Sequence, residues 1–456
     1  MRDVDVVVVG LGPGGEDLAG RLATAGLSVV GVEAHLVGGE CPYYACVPTK
    51  MMVRAAHTLA EARRVRDLAG SAQVRADWGP VAARIRTEAT TDWDDTIAVD
   101  RLRGKGVEVV HGRGRLTGPR EVTVTTADGD EVYRARRGVV LNPGTDPAVP
   151  PIDGLAGAPF WTNRDAARAT QVPDSLVVLG GGPVGCELAQ VFARFGASVT
   201  VVQSAERLLP ADEPESGDLI AEVFAAEGIT VRLGASATRV THERDAFTLE
   251  FADGDPVTAT GLIVAAGRHT DLAALGVAAM GLDENARGIK VDQQMRAAPG
   301  LWAIGDVTGN GAFTHMSMYQ ARIAAADILG DDDAELADYR AVPRVTFTDP
   351  EIGSVGLTEE RARAAGRRVR VGIASIASAT RGWIHGAGNE GFVKLVEDAD
   401  RGVLLGATSA GPVGGEVLSA LVVAVHAEVP TQRLRRMIYA YPTFHRAVES
   451  ALADLS

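Results

Sequence analysis

Apolar positions along the chain predict its elements. Residues 4–9 form an almost continuous valine run, as in a parallel strand buried on both faces. The stretch Gly10-Leu11-Gly12-Pro13-Gly14-Gly15 follows, then a helical pattern from about Gly14 to Ala25 and a second strand over 27–32 that ends at Glu33. The same order recurs later: a strand at 175–179, the stretch Gly180-Gly181-Gly182-Pro183-Val184-Gly185, a helix to about Phe195, and a strand at 198–202 ending at Gln203. Between the two units, helical patterns cover 51–68 and 78–103, the second interrupted near residues 90–93. A short strand is expected at 107–110. Alternation over 114–137 carries the hairpin signal Ala127-Asp128-Gly129-Asp130. A strand at 139–141 runs into Asn142-Pro143-Gly144-Thr145, and Pro147, Pro150 and Pro151 mark a linker.

Two further strands, 262–266 entering Gly267 and 301–306 ending in Gly305-Asp306, precede a helix at about 316–329. Residues 331–338 read as an acidic surface link. From about Tyr339, strands (345–347, 353–356, 391–396, 403–409) alternate with helices (358–365, 414–427, 431–438) and no nucleotide motif appears, which predicts a separate α+β domain. The fold class is α/β, with two Rossmann-like dinucleotide-binding domains ahead of that last one.

Composition narrows the partners. A chain of 456 residues holds roughly two to four domains. Its net charge of −14 argues against nucleic acid or an anionic membrane as partner. No apolar run reaches about 18 residues, so no membrane span is expected, and the strand at 4–9 leaves no room for a signal peptide. Three cysteines in so long a chain argue for a reducing, cytoplasmic setting. Lys50, Lys105, Lys290 and Lys394 are the lysines, against a Lys plus Arg total of 45. A lysine at position 50 in a chain that prefers arginine suggests that a compact amine is wanted there. No metal site is expected.

Each part of the first glycine unit has a task. Gly10 makes the tight turn, Gly12 lets a pyrophosphate approach, Gly15 allows helix and strand to pack closely, and the helix that starts around Pro13 and Gly14 presents its N-terminus to phosphate. Glu33 can accept hydrogen bonds from an adenosine ribose. Gly180, Gly182 and Gly185 repeat the glycine pattern, so two cofactors are expected. Gln203 stands where a carboxylate would reject a 2′-phosphate. The nearest cation is Arg207, as readily a surface residue as a phosphate contact, so NADH and NADPH both stay open.

The remaining chemistry lies in Gly38-Gly39-Glu40-Cys41-Pro42-Tyr43-Tyr44-Ala45-Cys46-Val47-Pro48-Thr49-Lys50. The second cysteine falls just ahead of a helix expected near Pro48, and a helix N-terminus lowers a thiol pKa. A redox dithiol and a pair of ordinary buried cysteines both fit a bare C-x4-C. The two flanking nucleotide units favour the dithiol. Cys186 is expected to pack in the first turn of its helix.

These motifs, with Ala266-Gly267-Arg268, Gly305-Asp306 and Phe347-Thr348-Asp349-Pro350-Glu351, make the chain resemble the flavoprotein disulfide reductases, the FAD-dependent pyridine nucleotide-disulfide oxidoreductases, over nearly its whole length. The resemblance implies FAD on the first domain, with its pyrophosphate at residues 10–15, its ribose at Glu33 and its ribityl chain at Asp306; Pro13, Gly14, Gly39, Lys50, Gly144, Gly267 and Gly305 are further cofactor-binding residues, without assignment to one cofactor or the other. NADH or NADPH would bind at residues 180–185 with Gln203. Electrons would pass from nicotinamide through the flavin to a Cys41/Cys46 disulfide, with Cys46 on the flavin side and Cys41 attacking the acceptor. Lys50 would lie near the flavin and pair with Glu187. The domains would be 1–148 and 271–338 for FAD, 149–270 for NAD(P), and 339–456 for homodimerisation.

Three features depart from the family pattern. In place of the usual C-terminal His-Pro-Thr with a following glutamate, the chain has Tyr441-Pro442-Thr443-Phe444-His445-Arg446. Tyr441 takes the catalytic His position and Arg446 the Glu position. A phenol with a pKa of about 10 is a poor base at neutral pH but a good hydrogen-bond donor. His445 and Glu449 lie off the family register and read as structural. The chain ends without the cysteine pair of mercuric reductases. Tyr43 and Tyr44 stand between the cysteines, where smaller residues are usual, and either narrow access to Cys41 or only pack. The expected function is NAD(P)H-dependent reduction of a disulfide or related electrophile. The alternatives are quinone reduction directly from the flavin, or a non-catalytic flavin-binding redox-sensing scaffold.

Overall fold

The computed structural model describes residues 1–331 and 335–456; of the acidic link at 331–338, residues 332–334 lie outside the described residues. The chain divides into two compact units. The first comprises Met1–Pro48, Ala83–Pro147 and Arg268–Tyr339; the second comprises Thr49–Ala82, Ala148–Gly267 and Arg340–Ser456.

In the first unit the valine run becomes the strand Arg2–Val9, near the middle of an eight-stranded sheet. It pairs in parallel with Val29–Glu33 on one side and Gly129–Leu141 on the other. Its residues feed two cores, alternately from Val6 to Val9, with a register irregularity between Val4 and Val6. Val6 and Val8 pack with Leu18 and Leu22 of the helix Pro13–Thr24 and with Ala321 and Ala324 of the helix Thr314–Leu329. Val4, Val7 and Val9 face Val122, Val124 and Tyr133. Each buried valine contributes about 1.5–3 kcal/mol, so a strand apolar on both faces belongs at the sheet centre. The hairpin of Glu121–Thr126 and Gly129–Leu141 forms where its turn signal stands.

The second unit holds a four-stranded parallel sheet, ordered Thr230–Arg232, Ser198–Val202, Ser175–Leu179, Gly261–Val264, and a three-stranded antiparallel sheet over 237–259. Its C-terminal part is a five-stranded antiparallel sheet covered by the helices Gly414–His426 and Arg446–Asp454, with Leu395, Leu404, Leu418, Leu421 and Leu452 in its core. On the strand Phe392–Asp398, the buried Lys394 ammonium meets Glu213 at 3.0 Å, Glu215 at 2.7 Å and Glu359 at 3.1 Å. Burial disfavours its charge, but hydrogen bonds to Glu215 and Glu213 outweigh that and hold its pKa above the ordinary lysine value.

Several elements differ from the sequence expectation. The helix expected near Pro48 starts at Cys46, so the thiol lies inside its first turn. The pattern at 78–103 resolves into Gly79–Arg84, a π-helical turn Ile85–Ala89 and Thr96–Gly104. The helix expected at 431–438 ends at Leu434, and its arginine-rich remainder is exposed. The helix Pro214–Ala226, the strand Val369–Ser375 and the helix Arg446–Asp454 have no counterpart in the sequence reading.

Candidate functional site

In the first unit the glycine turn sets the helix Pro13–Thr24 on an N-cap, Gly12, that offers no side-chain capping bond. A Cβ on Gly10, which has φ +93°, would lie 2.0 Å from the Asn142 carbonyl oxygen, and one on Gly15 would lie 2.1 Å from that of Gly10. A Cβ on Gly12 would meet nothing closer than 3.4 Å. The outer glycines are therefore required by packing, while the middle one meets no such clash and stands at a helix N-terminus, the arrangement that suits a phosphate. Glu33 is buried, and its carboxylate accepts from the Leu11 N–H at 2.8 Å and the His35 N–H at 2.9 Å. Burial raises its pKa, and those two bonds offset part of the rise.

Asp306 accepts from the Thr145 hydroxyl at 2.8 Å, and that hydroxyl accepts from Arg268 Nε at 2.7 Å. Arg268 also faces Glu40 at 3.6 Å, so a polar chain runs from Asp306 to the segment that carries the cysteines. Gly144 has φ +68° and its carbonyl accepts from the Thr270 hydroxyl, and the Gly305 N–H donates to Gln320 Oε1 at 2.6 Å.

Gly39, at φ +68°, lies so close to Gly12 that a Cβ would come within 2.8 Å of the Gly12 Cα. The segment then makes one helical turn, Glu40–Tyr43, whose Glu40 carbonyl accepts from the N–H groups of both Tyr44 and Ala45. Cys41 and Cys46 are half-buried. Cys46 is the first residue of the 23-residue helix Cys46–Leu68, and its Sγ lies 3.4 Å from the hydroxyl of Thr314, the first residue of the helix Thr314–Leu329. Both helix starts favour negative charge on that sulfur. Tyr43 is buried and its phenol is pushed up to about 12 by burial, with Asp95 adding to the shift, so it packs; Tyr44 is half-buried. Thr314 lies ahead of the apolar pattern, which marks this helix only from about Met316.

In the second unit Lys50 Nζ donates to Glu187 Oε2 at 2.7 Å and lies 4.7 Å from the centre of the Phe347 ring. The other Glu187 oxygen accepts from the Phe347 N–H at 2.9 Å. Gln190 exchanges two bonds with the Asp349 backbone, and Arg194 and Arg64 both reach the Asp349 carboxylate. A face of the helix Pro183–Arg194 thus grips residues 347–349, and through them orients the carboxylate that holds Lys50. Only the motif at 347–351 hints at this grip in the sequence.

The second glycine turn follows the first. Cβ atoms on Gly180 and Gly185 would lie 2.4 Å from the Ala265 oxygen and 1.9 Å from the Gly180 oxygen, while one on Gly182 would meet nothing within 4 Å. Gln203 accepts from the Gly181 N–H at 3.2 Å and donates to the Arg207 carbonyl. Arg207 donates to the Pro210 carbonyl and faces Glu360. Gly267 has φ +123°, and its carbonyl accepts from the Ala148 N–H. Cys186 is fully buried, its thiol directed at the Gly181 carbonyl and its pKa pushed far up by burial, so it holds no thiolate.

Near the C-terminus Tyr441 is 66% exposed, with its hydroxyl on Thr380 Oγ1 at 3.3 Å and the Arg446 guanidinium 5.4 Å above its ring. Arg446 pairs with Glu449 at 2.7 Å, and His445 precedes the last helix.

Residues 4–325 match the model of the pyridine nucleotide-disulphide oxidoreductases, and residues 342–452 match the dimerisation domain of the same group. The chain belongs to this family. It is 33% identical to a dihydrolipoyl dehydrogenase of Thermus scotoductus, across 100% of this chain and 98% of that protein. It is 30% identical to a mercuric reductase of Acidithiobacillus ferrooxidans, across 99% of this chain and 82% of that protein. Among solved structures it resembles a Cu(II) complex of the HOCl-induced flavoprotein disulfide reductase RclA from Escherichia coli, with TM-score 0.86, 26% identity and 99% of each chain covered. It also resembles LpdA from Mycobacterium tuberculosis, with TM-score 0.86, 25% identity and the same coverage.

This pyridine nucleotide-disulphide oxidoreductase is an enzyme that binds FAD and uses NAD(P)H. The two open glycine turns and buried Glu33 fit such cofactors. Its dimerisation domain supports a homodimer. Among the described residues no helix is long and apolar enough to cross a membrane.

Proposed function

We propose that this oxidoreductase passes electrons from NAD(P)H through FAD to a Cys41/Cys46 disulfide, and from the dithiol to a disulfide or related electrophile that needs no imidazole base. The observation that carries this reading is Cys46 Sγ at the start of one helix and 3.4 Å from the hydroxyl that starts another. FAD, when bound, supplies a two-electron carrier between nicotinamide and dithiol. Residues 10–15, Gly39, Gly144, Gly305 and Asp306 would hold it with Glu33, and residues 180–185, Gln203 and Gly267 would hold the nicotinamide cofactor. The corresponding domains are 1–148 with 271–338, and 149–270, with 339–456 for the dimer contact.

The chain's own groups then divide the work. Cys46 is stabilised as a thiolate by the two helix starts. Cys41, the other half of the pair, attacks the acceptor. Lys50, oriented by Glu187, would supply positive charge that stabilises a reduced, anionic flavin. Tyr441, whose hydroxyl donates to Thr380 Oγ1, would turn that O–H to the acceptor as a donor rather than serve as a base. The protein would work in the cytoplasm.

Anaerobic titration with NADH and NADPH tests this reading. Two-electron reduction should bring up long-wavelength absorbance that Cys46→Ser abolishes, together with two alkylatable thiols at positions 41 and 46. Wild-type protein with neither signal would sink it. A Cys41→Ala variant that reduces quinones as fast as wild type would instead favour direct turnover from the flavin, and a protein that oxidises no NAD(P)H with any acceptor would favour the scaffold.

A further inference from the structure

The backbone over residues 85–95 is irregular in a way no local propensity demands. Ile85–Ala89 is a π-helical turn, and Thr91, Asp92 and Trp93 follow one another at φ 48°, 58° and 58°. Left-handed residues other than glycine ordinarily occur singly, because each Cβ crowds a carbonyl oxygen. Three in succession persist only where the surroundings over-determine them, and such strain collects at functional sites. Here the restraints can be named. The hydroxyl of the buried Thr90 donates back to the carbonyls of Ile85 and Arg86, at 3.1 and 3.2 Å. The Asp92 N–H donates to the Arg86 carbonyl at 2.6 Å, and the Trp93 N–H to Thr90 Oγ1 at 3.4 Å.

The result of the bend is the direction of one side chain. The Trp93 indole N–H donates to the Tyr43 carbonyl at 3.2 Å. Tyr43 lies between the two cysteines and closes the helical turn Glu40–Tyr43. Two residues beyond Trp93, Asp95 Oδ2 accepts from the Val37 N–H at 2.7 Å. The irregular segment therefore ties the cysteine loop on both flanks of the paired glycines.

We propose that Trp93 is a positioning residue for the dithiol: by holding the Tyr43 carbonyl it keeps the Cys41–Cys46 turn compact and so favours the disulfide over the open dithiol. The inference rests on the reading of Cys41 and Cys46 as a redox pair. Closing the disulfide forms one S–S bond and releases two electrons and two protons to the oxidant. A turn held in place raises the effective concentration of one thiol at the other, and its loss leaves the two sulfurs to find each other.

The test equilibrates full-length protein in mixtures of oxidised and reduced dithiothreitol, which accept and return those two electrons and two protons. Thiols are then trapped by alkylation and counted by mass spectrometry. Trp93→Phe keeps an aromatic ring and removes the donor, and should shift the equilibrium at least threefold toward the dithiol. Asp92→Gly keeps the indole and relieves one left-handed residue, so it should raise the melting temperature and leave the equilibrium unchanged. If Trp93→Phe does not fold, replacing Trp93 by 3-benzothienylalanine, which has the shape of tryptophan without its N–H, gives the same readout. An unchanged equilibrium without the N–H, or an equal shift in Asp92→Gly, would overturn the role of Trp93. A wild-type protein that forms no Cys41–Cys46 disulfide in any mixture would overturn the dithiol reading itself, and the proposal with it.

Discussion

The two glycine turns build the same backbone and end in different chemistry. In each, the first and last glycines are pressed against carbonyl oxygens, at Gly10 and Gly15 in one turn and at Gly180 and Gly185 in the other, while a Cβ on Gly12 would make only an ordinary contact and one on Gly182 none within 4 Å. In each, a side chain at the end of the second strand accepts from the N–H of the second motif residue: Glu33 from Leu11, Gln203 from Gly181. One acceptor is a buried carboxylate held by two N–H groups, the other a neutral amide that also donates to the Arg207 carbonyl. Bracing the turn needs only an acceptor oxygen, which either side chain supplies. Selecting the ligand depends on charge, and there the turns part: a carboxylate repels a 2′-phosphate, and an amide does not.

The sharpest way to break the comparison is through its shared part. Gly185→Ala would place a Cβ 1.9 Å from the Gly180 oxygen, and Gly15→Ala one 2.1 Å from the Gly10 oxygen. Each should cost about 3 kcal/mol or more in thermal or denaturant unfolding, whereas Gly182→Ala should cost under about 1 kcal/mol and weaken nucleotide binding instead.

Next comes Glu33→Gln, which gives the first turn the acceptor of the second. With Glu33 as the proposed ribose acceptor, loss of that charge-assisted bond should weaken FAD about tenfold or more by fluorescence titration, from a loss of about 1.5–3 kcal/mol. It should also change the pH dependence of the flavin-free protein. Burial raises the folded pKa of Glu33 above its unfolded value, so its protonated form favours folding. That contribution is complete below the ordinary carboxylate pKa of about 4.3 and is lost as pH rises through the higher folded value. Glu33→Gln should remove this loss of stability with rising pH, and an unchanged slope would show that Glu33 does not titrate there.

Gln203→Glu makes the reverse exchange. It should lower kcat/KM for NADPH about tenfold and change that for NADH by less than about threefold, a discrimination of about 1.4 kcal/mol. The smallest effect is expected at Arg207, whose guanidinium is already engaged by Pro210 and Glu360. Arg207→Ala should change stability by under about 0.5 kcal/mol and the KM for NADPH by less than about twofold. A larger rise in KM would show that Arg207 leaves those partners to reach the phosphate.

What can be read from the sequence is local. Strand, glycine turn, helix and acid follow one another without interruption, so Gly10 to Glu33 and their repeat at Gly180 to Gln203 stand out from the pattern alone. The helix beginning at Cys46 is expected two residues late because Pro48 signals a first turn without saying which of its positions it fills. Thr314 is not legible, since its meeting with Cys46 joins positions 268 residues apart. At residues 90–93 the pattern shows an interruption and nothing of its left-handed form, which tertiary contacts impose against propensity.

The ring of carboxylates around Lys394 bears on the chain's preference for arginine. An ammonium carries three donors splayed like a tripod, and here each leg reaches a carboxylate on a different residue. A guanidinium is a flat fork suited to one acceptor plane and cannot serve three that surround it. At an exposed position water solvates either charge, and arginine can stand for lysine at little cost. At a buried three-cornered junction that exchange meets a stereochemical limit, and the rarer of the two basic residues is the one that fits.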